Sequence, residues 1–321
     1  MKISTKIIKT FNIVLCSVIF VFFYGNVWQK LTEQNAPFTW KQLFNIDFIH
    51  TGILTGIVLM MFLNWIIEAL KMQILIKRLH PVSLLTSLKS VWTGVTFSFL
   101  FPNRFGEFIG RSFFFHHERL KIGLIAIVSS WAQMLITLFI GTIGLMIHLQ
   151  IFSSNLFVNL WSLIAVGLVC TITGFLYFKL SWSAQIVKRW RFNWLKKQVQ
   201  KIEILSEFSA RELFKILCLS LLRYFIFFVQ FYGAFHFFNI ELSFFHALIF
   251  IPVYYVLLMA IPSFAITEIG VRGTVSIFLF SALAGGDNGL IFAASTLIWL
   301  INILIPAIIG SCFLTSTLFK K

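Results

Sequence analysis

Apolar runs of 18 or more residues recur along this chain from end to end, and each is about long enough to cross the hydrocarbon layer of a bilayer as a helix. A chain built this way cannot hide its apolar surface in one water-soluble core. The composition agrees, with 59% hydrophobic and 17% aromatic residues, only 12% charged residues and a mean hydropathy of +0.92. These values predict an all-helical, polytopic integral membrane protein that forms a single transmembrane domain over residues 1–321, with no soluble domain left over. The formal charge of +15 does not point to nucleic acid. Its basic residues gather in loops between apolar spans, the pattern of cytoplasmic loops. Cys16, Cys170, Cys218 and Cys312 all fall in apolar stretches without metal-ligand or disulfide spacing, so they read as small hydrophobes.

Lys2, Lys6 and Lys9 precede an apolar run over about 10–28, which is too long for a signal peptide, lacks a cleavage site and is expected to stay as a first helix. A polar segment with Pro37 follows, and then a second helix over about 48–70. Residues 82–100 are apolar but interrupted by Ser83, Thr86, Ser87, Lys89, Ser90, Thr93, Thr96 and Ser98, unusual for a lipid-facing span. Further helices are expected over about 122–149, 156–178, 213–238 and 290–318. Between the fourth and fifth lies a basic segment, Lys179 to Lys215, with nine Lys and Arg against three Glu. Its tryptophans interleave with its basic residues, so it is either an amphipathic helix on an anionic membrane surface or an ordinary cytoplasmic loop.

Two polar knots break this pattern. The first is Phe101-Pro102-Asn103-Arg104-Phe105-Gly106-Glu107-Phe108-Ile109-Gly110-Arg111. The second runs from Pro262 through Glu268, Gly270, Arg272 and Gly273, and repeats the order of proline, glutamate and then arginine four residues on. The distribution of Lys and Arg tests how the knots are threaded. If each sits in a hairpin that dips into the membrane and returns on the same side, 22 of the 26 basic residues, Lys71 included, collect inside with both termini, and only Lys30 and Lys41 lie outside. If the first hairpin were a single crossing, the central basic segment would land outside. The re-entrant threading is therefore expected, with about six transmembrane helices and two re-entrant hairpins.

In that threading the halves, about 1–150 and 156–321, are inverted copies. Inverted repeats with broken helices in matching places are a feature of secondary transporters, whose sites lie where the breaks meet. Pro102 and Pro262 would remove backbone donors, while Gly106, Gly110, Gly270 and Gly273 would let backbones approach. Helical spacing puts Glu107 beside Arg111, and Glu268 beside Arg272. Charges at membrane depth cost at least about 2.5 kcal/mol each, so they are expected to be paired around a functional cavity. In this reading Arg104, Arg111 and Arg272 hold a phosphate, and Glu107 and Glu268 orient those arginines or carry a proton. Alternatively, each Glu/Arg pair only staples its own hairpin, and Arg104 is an exposed charge at a hairpin tip. Glu68, near Asn64 and Trp65, either faces the same cavity or pairs with Lys71 at a helix end. Arg223 either joins the site or snorkels to the inner surface.

At these residues the chain resembles the lysylphosphatidylglycerol synthase transmembrane-region family, which includes the lipid-flipping half of the multiple peptide resistance factor. The resemblance spans nearly the whole chain. It rests on Pro102 through Glu107 with Arg111, and on Ile261-Pro262 through Gly270-Val271-Arg272. The family's later hairpin more often carries a glycine pair before the arginine and an acid after it, whereas here Glu268 precedes the arginine and Gly273 follows. The resemblance implies two re-entrant hairpins, handling of anionic or aminoacylated phospholipids and a bacterial or archaeal cytoplasmic membrane. Aminoacyl transfer from tRNA is not expected, since no synthase domain follows Lys321.

The alternative is an intramembrane enzyme. Glu107, Arg111, His116 and His117 are faintly similar to metal-dependent proteases of the CAAX-processing type, but a metal needs several ligands held together. His50, His80, His148, His236 and His246 have no ligand spacing. A lipid-dependent transferase would want outer-loop acids, for which Glu33 and Asp47 are available. The reading reached is a flippase-like lipid transporter that binds an anionic phospholipid or polyprenyl-phosphate lipid, with no cofactor or metal. Its partners are membrane lipids, and a homo-oligomer is left open.

Overall fold

The computed structural model describes residues 48–99, 101, 104–115, 118–152, 156–180, 182, 203–263, 265–283 and 287–318. The helix expected over 10–28 and most of the basic central segment lie outside the described residues. Within them the fold is all-α: α1 (Phe48–Ile76), α2 (Leu84–Ser98), α3 (Gly106–Arg111), α4 (Arg119–Phe152), α5 (Leu156–Phe178), α6 (Ala210–Phe237), α7 (Phe244–Ala260), α8 (Ala265–Phe280), α9 (Asn288–Trp299) and α10 (Ile305–Leu318). Leu300–Leu304 joins the last two as a π-helical turn. Among the described residues, three stretches are long and apolar enough to cross a membrane, Phe48–Ile76, Arg119–Ile151 and Asn288–Leu314. The protein is an integral membrane protein.

Local chemistry explains where several helices begin. Ser83, Ser209 and Ser243 each accept a hydrogen bond from the third backbone amide of the helix they precede, and Glu212 completes a capping box with Ser209. Asp287 caps α9 by accepting from the Gly289 and Leu290 amides. The π-helical turn has a cause in Pro306, which lacks the N–H that would bond to Asn302 and whose ring crowds that carbonyl. The ladder loosens just before it, and the Ile305 amide donates to Leu300 O.

Both knots do interrupt helices. After α2 the chain turns and α3 folds back along it. A Cβ placed on Gly110 would lie 2.7 Å from Gly94 Cα and from Thr93 O, so the two arms touch through their backbones. The Ser90 hydroxyl donates to Arg111 O at 2.5 Å. The polar residues that made 82–100 odd as a lipid-facing span are turned inward: Ser87, Ser90, Thr93 and Ser98 are buried. In the second hairpin the chain leaves helical geometry over 261–263. Gly270 and Gly273, expected to belong to that break, instead lie within α8. Gly273 seats α8 against Phe292 of α9, where any Cβ would overlap the ring. Gly110 likewise lies within α3.

Other contacts join helices far apart in the chain. α1 packs on α6, with the Gln230 amide donating to Ile57 O at 2.9 Å. α4 packs on α7, where Gly141 and Gly144 admit Pro252 and Ile249. α10 packs on α2: Thr96 donates to Ala307 O at 2.7 Å, and Trp92 stacks on Phe313. Around Phe231 a cluster of rings from α6, α7 and α8, including Tyr254 and Phe280, fills the interior. At the end of α1, Arg78 reaches Glu212 with two hydrogen bonds of 3.0 and 2.6 Å.

Candidate functional site

Glu68 sits in the C-terminal half of α1, 1% exposed. An isolated carboxylate there would be expensive, and the sequence supplies three cations to meet it. Lys71 donates to Glu68 Oε2 at 3.0 Å and to Ser129 O at 3.0 Å. Arg111 of α3 donates to Oε1 at 2.6 Å, as Ser129 does at 3.0 Å. Arg223 of α6 donates to Oε2 and, at 2.6 Å, to Asn64 Oδ1, with its guanidinium over the rings of Trp65 and Phe227. One carboxylate thus ties α1, α3, α4 and α6 together.

Arg111 uses its other terminal nitrogen on Glu107. In α8, Arg272 holds Glu268 through Nε at 2.9 Å and Nη2 at 2.6 Å. Both pairs adopt the expected helical spacing. The first is more than a local staple, because Arg111 also binds Glu68 across the interior. The expectation that Lys71 belongs to an inner loop is corrected: α1 continues to Ile76 because residues 72–76 are mostly apolar, and Lys71 is fully buried. Arg223 does not snorkel to the surface.

These groups line one cavity of about 440 Å³, which receives Glu68, Arg104, Glu107, Arg111, Arg223, Glu268 and Arg272. All seven charged residues singled out from the sequence therefore meet at one place. Among the described residues, Arg104 is the cavity cation without an ion pair, and its buried Nε and Nη2 have no hydrogen-bond partner. Its charge acts on Glu107 of its own hairpin and on Glu268 of the other. It is also held at φ 60°, a left-handed conformation that strains a residue with a side chain. Sequence reasoning missed Ser129, Gln133 and Asn302. Asn302 occupies the π-helical turn, and its Nδ2 donates to Ile298 O at 3.2 Å while Oδ1 is buried and unpartnered. Pro306, four residues on, was the available signal.

Among the described residues no group of three His, Cys, Asp or Glu is placed to hold a metal ion. His116 and His117 lie outside them, as do Pro102 and Asn103. The family of the lysylphosphatidylglycerol synthase TM region matches residues 11–310. The chain belongs to that family. Both hairpins and every charged residue of the cavity fall inside the matched span of this lysylphosphatidylglycerol synthase TM region. No curated protein and no solved structure matches the chain.

Proposed function

We propose that this protein binds the phosphate-bearing headgroup of an anionic membrane lipid between its two hairpins and passes the lipid between leaflets. The observation that carries the reading is Arg104. Lys71, Arg111, Arg223 and Arg272 are each ion-paired with a carboxylate, whereas Arg104, unpaired among the described residues, offers two free donors to the cavity. Four cations and three carboxylates line the cavity, which leaves a net +1 there for a ligand of opposite charge. A guanidinium with open N–H groups suits a phosphate. Glu107 and Glu268 hold the neighbouring arginines rigid, so the site is built before the ligand arrives.

The threading supports movement rather than storage. The first arms of the hairpins, α2 and α7, have 15 and 17 residues, or about 22 and 25 Å of helix. Both are shorter than the roughly 30 Å hydrocarbon layer, as two re-entrant hairpins require. The packing supports an inverted repeat: α1 meets α6, α4 of the first half lies on α7, and α10 of the second lies on α2. Opposed hairpins around a shared site can open alternately to either side.

The test is headgroup selectivity. Purified wild type in detergent should retain phosphatidylglycerol over phosphatidylcholine by native mass spectrometry, and Arg104→Ala should lose the preference by about tenfold or more. Equal retention of the two lipids by wild type would defeat the proposal.

A further inference from the structure

The cavity has a side as well as a floor. α4 and α7 are in tight contact at Gly141 and Gly144, where an added Cβ on Gly144 would lie 2.8 Å from Ile249 O. Toward the tip of the second hairpin, Met134 of α4 and Met259 of α7 both line the cavity. Met134 is 37% exposed and Met259 41% exposed, and both line the cavity. Met134 lies near the middle of the 34-residue α4, two turns from Ile127, which is 42% exposed on the same helix face. Halfway along a helix long enough to cross a membrane, that face is placed to meet hydrocarbon. The adjoining face of α4 is different. Ser130, Gln133 and Thr137 recur at helical spacing and line the cavity, and Gln133 Oε1 is buried without a partner. Polar and apolar rows thus run side by side along one helix, with their boundary at Met134.

We infer that the gap at Met134 and Met259 is a lateral portal through which the hydrocarbon chains of the bound lipid pass into the bilayer while its headgroup stays on Arg104. This rests on the headgroup reading above and adds where the rest of the ligand goes. Size requires such an exit, since about 440 Å³ is the scale of a drug-sized ligand and a two-chain lipid is larger. Methionine suits the position. Its unbranched, polarizable side chain adapts to chains of different length and unsaturation. The polar row from Ser130 to Thr137 gives the headgroup a wet track beside the mouth, while the tails stay in lipid.

Two phosphatidylglycerols with one headgroup separate the portal from the headgroup site. Dioleoyl tails must use the portal, and dihexanoyl tails are short enough to leave it unfilled. The paired variant Met134→Trp/Met259→Trp should bind the dioleoyl probe at least tenfold more weakly than wild type and the dihexanoyl probe within threefold. Met134→Ala/Met259→Ala, which widens the mouth, should bind both at wild-type strength or better. Undiminished dioleoyl binding to the tryptophan variant overturns the portal, as does equal loss of both probes. Wild type that binds neither probe overturns the headgroup reading and the portal with it. Wild type alone gives a check free of folding effects: phosphatidylglycerol with a mid-chain diazirine should crosslink to Met134, Met259 or their immediate neighbours. Adducts confined to the far side of α5 would contradict the portal.

Discussion

Arg104 and Arg111 share a hairpin, yet their partners give them opposite sensitivities. Among the described residues Arg104 has no ion pair to lose, and it sits at φ 60°. Left-handed geometry costs a residue with a Cβ about 1–2 kcal/mol, of which glycine's extra chain entropy offsets about 0.5–1 kcal/mol. Arg104→Gly should therefore hold stability or raise it by up to about 1 kcal/mol in thermal unfolding in detergent, while headgroup binding is lost. A clear fall in stability would mean that Arg104 has a structural partner after all. Glu68 is the reverse case. Removing one member of a buried charge network costs about 3–5 kcal/mol, and Glu68→Met strands Lys71 and Arg223 together. The same unfolding measurement should show a loss of this size, with part of it recovered in Glu68→Met/Lys71→Met. The spacing of Glu107 with Arg111 and of Glu268 with Arg272 was legible because helix geometry fixes which side chains meet four residues apart. That Arg111 and Arg223 both converge on Glu68 was not. Those contacts span 43 and 155 residues of chain, and only tertiary packing brings them together.

The hairpin arms and helix ends make separate predictions. At Gly110 a single methyl group would meet backbone at 2.7 Å, whereas at Gly52 nothing lies within 4 Å. Gly110→Ala should destabilise by about 1–3 kcal/mol because neither arm can yield. Gly52→Ala should be neutral or slightly stabilising, since alanine favours helix by about 1 kcal/mol. The clamp between the end of α1 and the water-facing first turn of α6 depends on pH. The Arg78 hydrogen bond, helped by Ser209, pulls the Glu212 carboxyl down to about 2 from 4.5. A lowered carboxyl stabilises the fold fully above its unfolded value and loses that contribution as pH falls from about 4.5 to 2. Wild type should lose more thermal stability across this window than Glu212→Gln, and parallel curves would remove the clamp from the account. Helix existence was legible from apolar runs of the right length. Breaks were harder to place. A glycine in a sequence signals either a turn or a close helix contact, and Gly110, Gly270 and Gly273 turned out to sit inside helices.

The whole molecule joins these parts into a charge-lined cavity between two broken hairpins. Counting Lys and Arg gave a threading in which the α1–α2 connection faces inside and the α6–α7 connection faces outside. An impermeant maleimide should label Lys77→Cys only from the inside of sealed vesicles and Glu241→Cys only from the outside. Labelling of both positions from one side would break the inverted threading. Lys71 shows the limit of such counting, since a basic residue near a helix end reads as a loop charge until a buried carboxylate three residues earlier is seen to hold it. Arg104 is proposed to hold lipid headgroups during passage across the bilayer. Vesicles reconstituted with the protein and carrying fluorescent phosphatidylglycerol in the inner leaflet test it directly, with appearance in the outer leaflet read by quenching. Wild type should move the lipid well above the rate of protein-free vesicles, and Arg104→Ala should slow it at least tenfold while unfolding at the same temperature. Movement by Arg104→Ala at the wild-type rate, or none by wild type, would contradict it.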